Sequence, residues 1–193
     1  LVPSLRLVLF LLPRFSYAYL LKKPIDSVAL KCYINRMAKE IERKFLVRDW
    51  ESLKPKLGTP WLIRQGYLVN TPEKTVRIRL ANWGPWYTKS TLTVKGKTTG
   101  ITRDEYEFEL DNFAQASEIL ELMCSPIIRK HRYIWMQGSK KWEIDEFIDG
   151  NAPLVIAEIE LADEEETLDL PEWVGEEVSN HSRYYNSNLI TTS

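Results

Sequence analysis

Two spacings of apolar and polar side chains run along the chain. Alternation with a period of two marks strands, and apolar residues three and four apart mark a helix. Period-two alternation covers "MAKEIERKFLV" from Met37, "TPWLIRQGYLV" from Thr59, "TVRIRLANW" from Thr75, "YTKSTLTVKGKT" from Tyr87 and "TRDEYEFEL" from Thr102. It returns in "IIRKHRYIWMQ" from Ile127, "KKWEIDEFI" from Lys140 and "LVIAEIELA" from Leu154. Gly, Pro and Asn turns separate these segments, and the Gly150 and Asn151 turn joins the last two as a hairpin. The helical spacing is clearest in "DNFAQASEILELMCS", where Asp111 or Asn112 caps a helix whose Phe113, Ala116, Ile119, Leu120 and Met123 share one face. A short helix is expected from about Asp49 to just before Gly58, with Pro55 limiting its regularity. A last helix is expected over Pro171–Val178. The pattern predicts a mainly β (α+β) domain of about eight strands, mostly antiparallel by connection length, with about three helices.

The polar side of the alternation carries the chemistry. On successive strands one face presents Glu40, Glu42 and Lys44; Arg77 and Arg79; Lys95 and Lys97; Glu105, Glu107 and Glu109; Lys130 and Arg132; Glu143 and Asp145; then Glu158 and Glu160. For any one pair a solvated sheet face is the plain explanation. A solvated face, however, mixes signs, because neighbouring like charges repel and cross-strand pairs favour opposites. Here nearly every strand carries a single sign. The opposite faces are apolar, as in Val76, Ile78 and Leu80, or Ala157, Ile159 and Leu161. If those rows form the core with the helices, the charged rows face one another across a closed or nearly closed barrel.

Carboxylates converging from several strands need a hard cation, and an all-oxygen donor set suits Mg²⁺ or Mn²⁺ and not zinc. Lys and Arg converging beside them need a polyanion, and arginine offers its fork to phosphate oxygens. A basic wall next to an acidic, cation-binding wall is suited to hydrolysing a phosphoanhydride, where catalysis is mostly positioning and charge stabilisation. The "GKTTG" stretch is no P-loop, since it lacks the leading glycine and the strand-to-helix context.

Composition narrows the partners. With 26 basic and 27 acidic residues among 193 the net charge is -1, so no global field points to nucleic acid or an anionic membrane. Cys32 and Cys124 form no CxxC pair, and His131 and His181 add no zinc-ligand spacing. The first 36 residues differ from the rest: "LRLVLFLLP" is too short an apolar run to span a bilayer, and Ser16–Ala18 resembles a signal-peptidase site. They read as an N-terminal extension, non-native or disordered, with a signal peptide as the other reading. The expected domain is residues 37–193, in a cytoplasmic protein that is a monomer or homodimer.

These residues resemble a known family. "EIERK", Glu40–Lys44, is similar to the ExExK signature of the CYTH superfamily, the triphosphate tunnel metalloenzymes, and "QGYL", "VRIR", "LTVKG", "TRDEYEFE", "RKHRY", "WEIDEF" and "AEIEL" follow it in order. The resemblance implies an eight-stranded antiparallel β-barrel enclosing a polar tunnel, with a few flanking helices. It implies metal-dependent hydrolysis of inorganic triphosphate to pyrophosphate and phosphate with Mg²⁺ or Mn²⁺. The metal wall it implies is Glu40, Glu42, Glu105, Glu107, Asp145, Glu158 and Glu160, and the triphosphate wall is Lys44, Arg77, Arg79, Lys95, Lys130 and Arg132. Lys44 and Tyr67 would act as a pair near the attacking water, and the C-terminal tail would lie against one tunnel mouth. Within the same family a class IV adenylate cyclase or a thiamine triphosphatase, with Trp83 and Trp86 as a stacking pair, is the alternative. A non-catalytic polyphosphate-binding module is the alternative from another class.

Overall fold

The computed structural model describes residues 38–85 and 87–189. The expectations for residues 1–36 and for Trp86 lie outside the described residues.

Eight strands close into an antiparallel barrel: β1 (Ala38–Val47), β2 (Trp61–Asn70), β3 (Thr75–Trp83), β4 (Tyr87–Lys95), β5 (Thr102–Glu109), β6 (Ile128–Gln137), β7 (Lys140–Phe147) and β8 (Val155–Glu160). They are hydrogen-bonded in the order β5, β4, β3, β2, β6, β7, β8, β1, and pairing of β1 with β5 closes the ring. Two neighbours share β1 along its length. Residues 38–41 pair with β5, and Glu42–Leu46 pair with β8.

The edge of β1 beyond β5 is taken by a ninth strand, β9 (Val174–Glu177), where the sequence predicts a helix. Isolated short helices are marginal, and here the segment gains a backbone partner. Arg48 N donates to the Trp173 carbonyl at 2.9 Å and Val178 N to the Lys44 carbonyl at 2.8 Å. A Cβ at Gly175 would lie 2.8 Å from the Leu46 carbonyl oxygen, so glycine permits the close approach. Trp173 anchors the segment edge-on against Trp135 and Trp142.

Two α-helices pack outside the barrel among the described residues, α1 (Trp50–Leu53), continued by a 3-10 turn over Lys54–Lys56, and α2 (Phe113–Met123). The Asp49 side chain caps α1, and the Asn112 side chain caps α2 by accepting from Gln115 N at 3.1 Å. Ala116 and Leu120 of α2 bury against Ile78 and Leu80 on the outer face of β3. The fit is tight at β2, where a Cβ on Gly66 would lie 2.4 Å from Cys124 Cβ. A second outer cluster joins Phe45, Trp142, Ile144, Ala157 and Ile159 to Leu53 and Val174. The hydrophobic core is therefore outside the barrel wall, which leaves the interior for the charges.

At one end the inner face turns apolar. Ile128, Phe147 and Ile156 lie two residues from Lys130, Asp145 and Glu158 on the same faces, and they pack with Val178, Tyr184 and Leu189 of the tail. The tail thus covers the β6–β8 side of that end, as the expectation for the C-terminus has it. Among the described residues no helix is long and apolar enough to cross a membrane.

Candidate active site

Alternation on closed strands turns the charged rows inward, and the register decides which charges meet. Arg132 lies opposite Asp145, Lys44 opposite Glu158, Glu42 opposite Glu160 and Lys95 opposite Glu105. A central cavity of about 310 Å³ is lined by residues from both walls, among them Glu40, Glu42, Lys44, Arg77, Arg79 and Arg132. One mouth widens into a cavity of about 320 Å³, where Trp61, Ile63, Ala81 and Ile134 sit beside Arg79, Lys89 and Lys141. At the other end an opening of about 540 Å³ lies between the β2–β3 and β4–β5 turns and the tail.

The contacts inside are dense. Lys44 Nζ is paired with both Glu42 and Glu158. Lys95 Nζ stands 3.0 Å from both oxygens of Glu40 and 2.8 Å from Glu105 Oε2. Arg77 donates to Thr93 Oγ1 at 3.1 Å, and Arg79 Nε to Gln65 Oε1 at 3.2 Å. Tyr67 lines the narrow passage that Lys44 also lines.

Asp145 occupies a different place from the one its grouping with the metal wall suggests. It is fully buried between two cations of the basic wall: Lys130 Nζ donates to it at 2.5 Å, and Arg132 holds it through Nε at 2.7 Å and a terminal nitrogen at 2.6 Å. Arg132 also reaches Glu158 Oε2 at 3.0 Å and pairs with Glu143. Glu107 and Glu160 lie nearer the wide mouth, with Glu107 Oε1 3.5 Å from Lys89 and Glu160 exposed. Lys97 borders the opening at the tail end, and His131 is on the outer wall 3.4 Å from Glu146.

Three participants escaped the sequence reading. Arg103 shares the inner face of β5, and its Nε donates to Glu40 Oε2 at 2.6 Å. Its signal was available, since it stands two residues before Glu105, but its sign differs from the rest of that strand. Asn186 accepts from Lys130 at 3.3 Å, and Ser179 Oγ accepts from Lys44 N at 3.0 Å. Both come from the tail, which no strand pattern could have placed.

Burial sets the electrostatics. It pushes the Lys130 ammonium down to about 7 against the pull of Asp145, and that of Lys95 down to about 8 against the pull of Glu40. Glu158 is desolvated too, yet Lys44, Lys130 and Arg132 hold it well below the usual carboxylate range. Glu40 and Glu105 share Lys95 and part company. Burial disfavours both charges, but Lys95 and Arg103 hold Glu40 low, whereas Glu105 is raised by burial and by Glu40 beside it. Burial raises the Tyr67 phenol, with Arg77 drawing it back. Trp173 Nε1 lacks an acceptor on the outer wall, and inside the barrel Arg77 Nε, Gln65 Nε2 and the Thr91 hydroxyl have no partner. Buried donors are normally satisfied, so those inside the barrel call for an acceptor-rich guest.

A family model for the CYTH domain matches residues 38–192. The chain belongs to the CYTH family. Its CYTH region is 46% identical over 155 residues to an inorganic triphosphatase of Acetivibrio thermocellus, covering 80% of this chain and 94% of that protein. It is 33% identical over 153 residues to an inorganic triphosphatase of Nitrosomonas europaea, covering 78% and 95%. The crystal structure of an inorganic triphosphatase superposes with a TM-score of 0.56 at 29% identity, covering 82% of this chain and 98% of that one. The eight-stranded barrel is thus the CYTH fold with its two charged walls inward. Glu40, Glu42, Glu105, Glu158 and Glu160 could hold a divalent cation, and their all-oxygen chemistry fits a hard one. Among the described residues no three potential ligands converge on one point; Glu40, Glu42, Glu105 and Glu158 are held by cations of the protein instead.

Proposed function

We propose that the chain is a metal-dependent triphosphatase that hydrolyses inorganic triphosphate to pyrophosphate and phosphate inside the barrel, with Mg²⁺ or Mn²⁺ as its cation. The observation that carries this reading is the buried, unsatisfied Arg77 Nε and Gln65 Nε2 among Arg79, Lys95, Lys130 and Arg132. Phosphate oxygens supply the acceptors those donors lack, and the names of the relatives point to the same substrate. Arg77 and Arg79 would grip the chain of phosphates through charge-assisted hydrogen bonds, and Lys95, Lys130 and Arg132 would neutralise it. Asp145 would orient Lys130 and Arg132. Lys44 and Tyr67 would flank the attacking water, with the raised phenol remaining a hydrogen-bond donor at neutral pH. When bound by the glutamates, a divalent cation supplies charge neutralisation at the phosphate oxygens. Purified Glu42→Ala and Arg79→Ala variants should retain the fold and lose turnover. Undiminished phosphate release from either would remove the assignment.

The wide mouth favours a second reading. Trp61 meets Tyr87 edge-on at 5.4 Å and lies 6.3 Å from the half-exposed Trp83, a surface suited to a planar organic group. Comparing inorganic triphosphate, ATP and thiamine triphosphate as substrates, while following phosphate and cyclic AMP, separates a triphosphatase of organic substrates or a cyclase from the first reading.

A further inference from the structure

Arg103 stands where the three tail-side spaces meet: the central cavity, the narrow passage and the opening. Its Nε is 2.6 Å from Glu40 Oε2, and a terminal nitrogen is 4.0 Å from Glu42 Oε2. Lys95 holds the other side of Glu40 together with Glu105, and Lys44 holds Glu42 together with Glu158. Arg132 reaches Glu158 as well, at 3.0 Å, so four cations lie on four carboxylates of the acidic wall. A dication entering this arrangement meets charge that is already neutralised, and it must displace the side chains that hold it. Its binding is correspondingly weak.

Triphosphate changes that balance. It brings several negative charges to the same space, and the guanidinium fork matches phosphate oxygens at least as well as a carboxylate. Resting on the reading that triphosphate occupies the tunnel, we propose that Arg103 couples substrate to metal: with the tunnel empty it occupies Glu40 and Glu42, and it turns to the phosphates when they bind, freeing those carboxylates for the divalent cation. Triphosphate and metal then bind with positive coupling, which linkage requires to be mutual. Lys95 and Lys44 share the same exchange, but Arg103 is less deeply buried than either and is the one beside the opening.

Calorimetry tests this with Mn²⁺ alone and, separately, with inorganic triphosphate alone in EDTA, so that no turnover intervenes. Arg103→Gln should bind Mn²⁺ at least about tenfold tighter than the unmodified chain, and triphosphate at least about tenfold more weakly, within the usual range of coupling between sites. Arg103→Lys keeps the charge and should leave Mn²⁺ binding weak. Arg103→Ala should repeat the rise, so the test does not depend on the folding of one variant. A damaged fold cannot tighten Mn²⁺ binding, so the rise separates this role from a merely structural one. If the unmodified chain binds triphosphate but Mn²⁺ affinity in Arg103→Gln and Arg103→Ala stays within twofold of it, the role of Arg103 is overturned. If the unmodified chain binds no triphosphate in EDTA, the tunnel reading fails instead.

Discussion

Neutralising Asp145 separates an orienting role from a metal-ligand role. In Asp145→Asn two buried cations lose their shared carboxylate. Lys130, fully buried, retains Asn186 at 3.3 Å, while Arg132 retains Glu143 and Glu158. Breaking a buried ion pair by removing one partner costs about 3–5 kcal/mol. Because Arg132 keeps two carboxylates, the lower end, about 3 kcal/mol, applies. For a domain of this size each kcal/mol shifts the melting temperature by about 2–4 °C, giving a fall of roughly 6–12 °C. Saturating triphosphate supplies the missing negative charge, so in EDTA it should raise the melting temperature more in Asp145→Asn than in the unmodified chain. Differential scanning calorimetry with and without triphosphate measures both effects. A fall below about 2 °C, or one that triphosphate leaves unchanged, refutes the reasoning. A carboxylate acting as a metal ligand would instead require the metal for rescue.

Two further outcomes test the frame that holds the tunnel. Gly66→Ala puts a methyl group 2.4 Å from Cys124 Cβ and 3.0 Å from Leu120 Cδ1, and this overpacking under α2 should cost about 1–3 kcal/mol, read as a lower urea midpoint at an unchanged slope. Glu177 fastens β9 to β1 by accepting from Arg43 Nε at 2.9 Å and Ser179 Oγ at 2.7 Å, and its hydrogen bond with Arg43 lowers its pKa. A carboxylate depressed by folding contributes stability above its unfolded value and loses it as pH falls through the folded one. The urea midpoints of the unmodified chain and Glu177→Gln should therefore differ more near pH 6 than near pH 3; an equal gap at both would contradict the assignment.

The barrel was legible because its charges obey the strand period. Glu40, Glu42 and Lys44 keep the period of two, as do Arg77 and Arg79, and the closed sheet turns each row inward. What alternation cannot supply is which rows meet. Asp145 looked like one more acidic residue until the β6–β7 register set it opposite Arg132. Arg103 was hidden by its sign in a strand of glutamates. The segment through Val174–Glu177 became a strand because β1 outruns β5 and leaves an edge to be paired, a consequence of tertiary structure. The tail residues Ser179 and Asn186 reach Lys44 and Lys130 across more than fifty positions of chain, beyond any local pattern.

The central claim is that two walls of opposite charge act together on a phosphoanhydride. The most direct measurement incubates the purified chain with inorganic triphosphate and Mg²⁺ or Mn²⁺ and quantifies phosphate and pyrophosphate. The account predicts equal amounts of the two products with the cation and none in EDTA. Absence of both products with either cation, or undiminished release in EDTA, would contradict it.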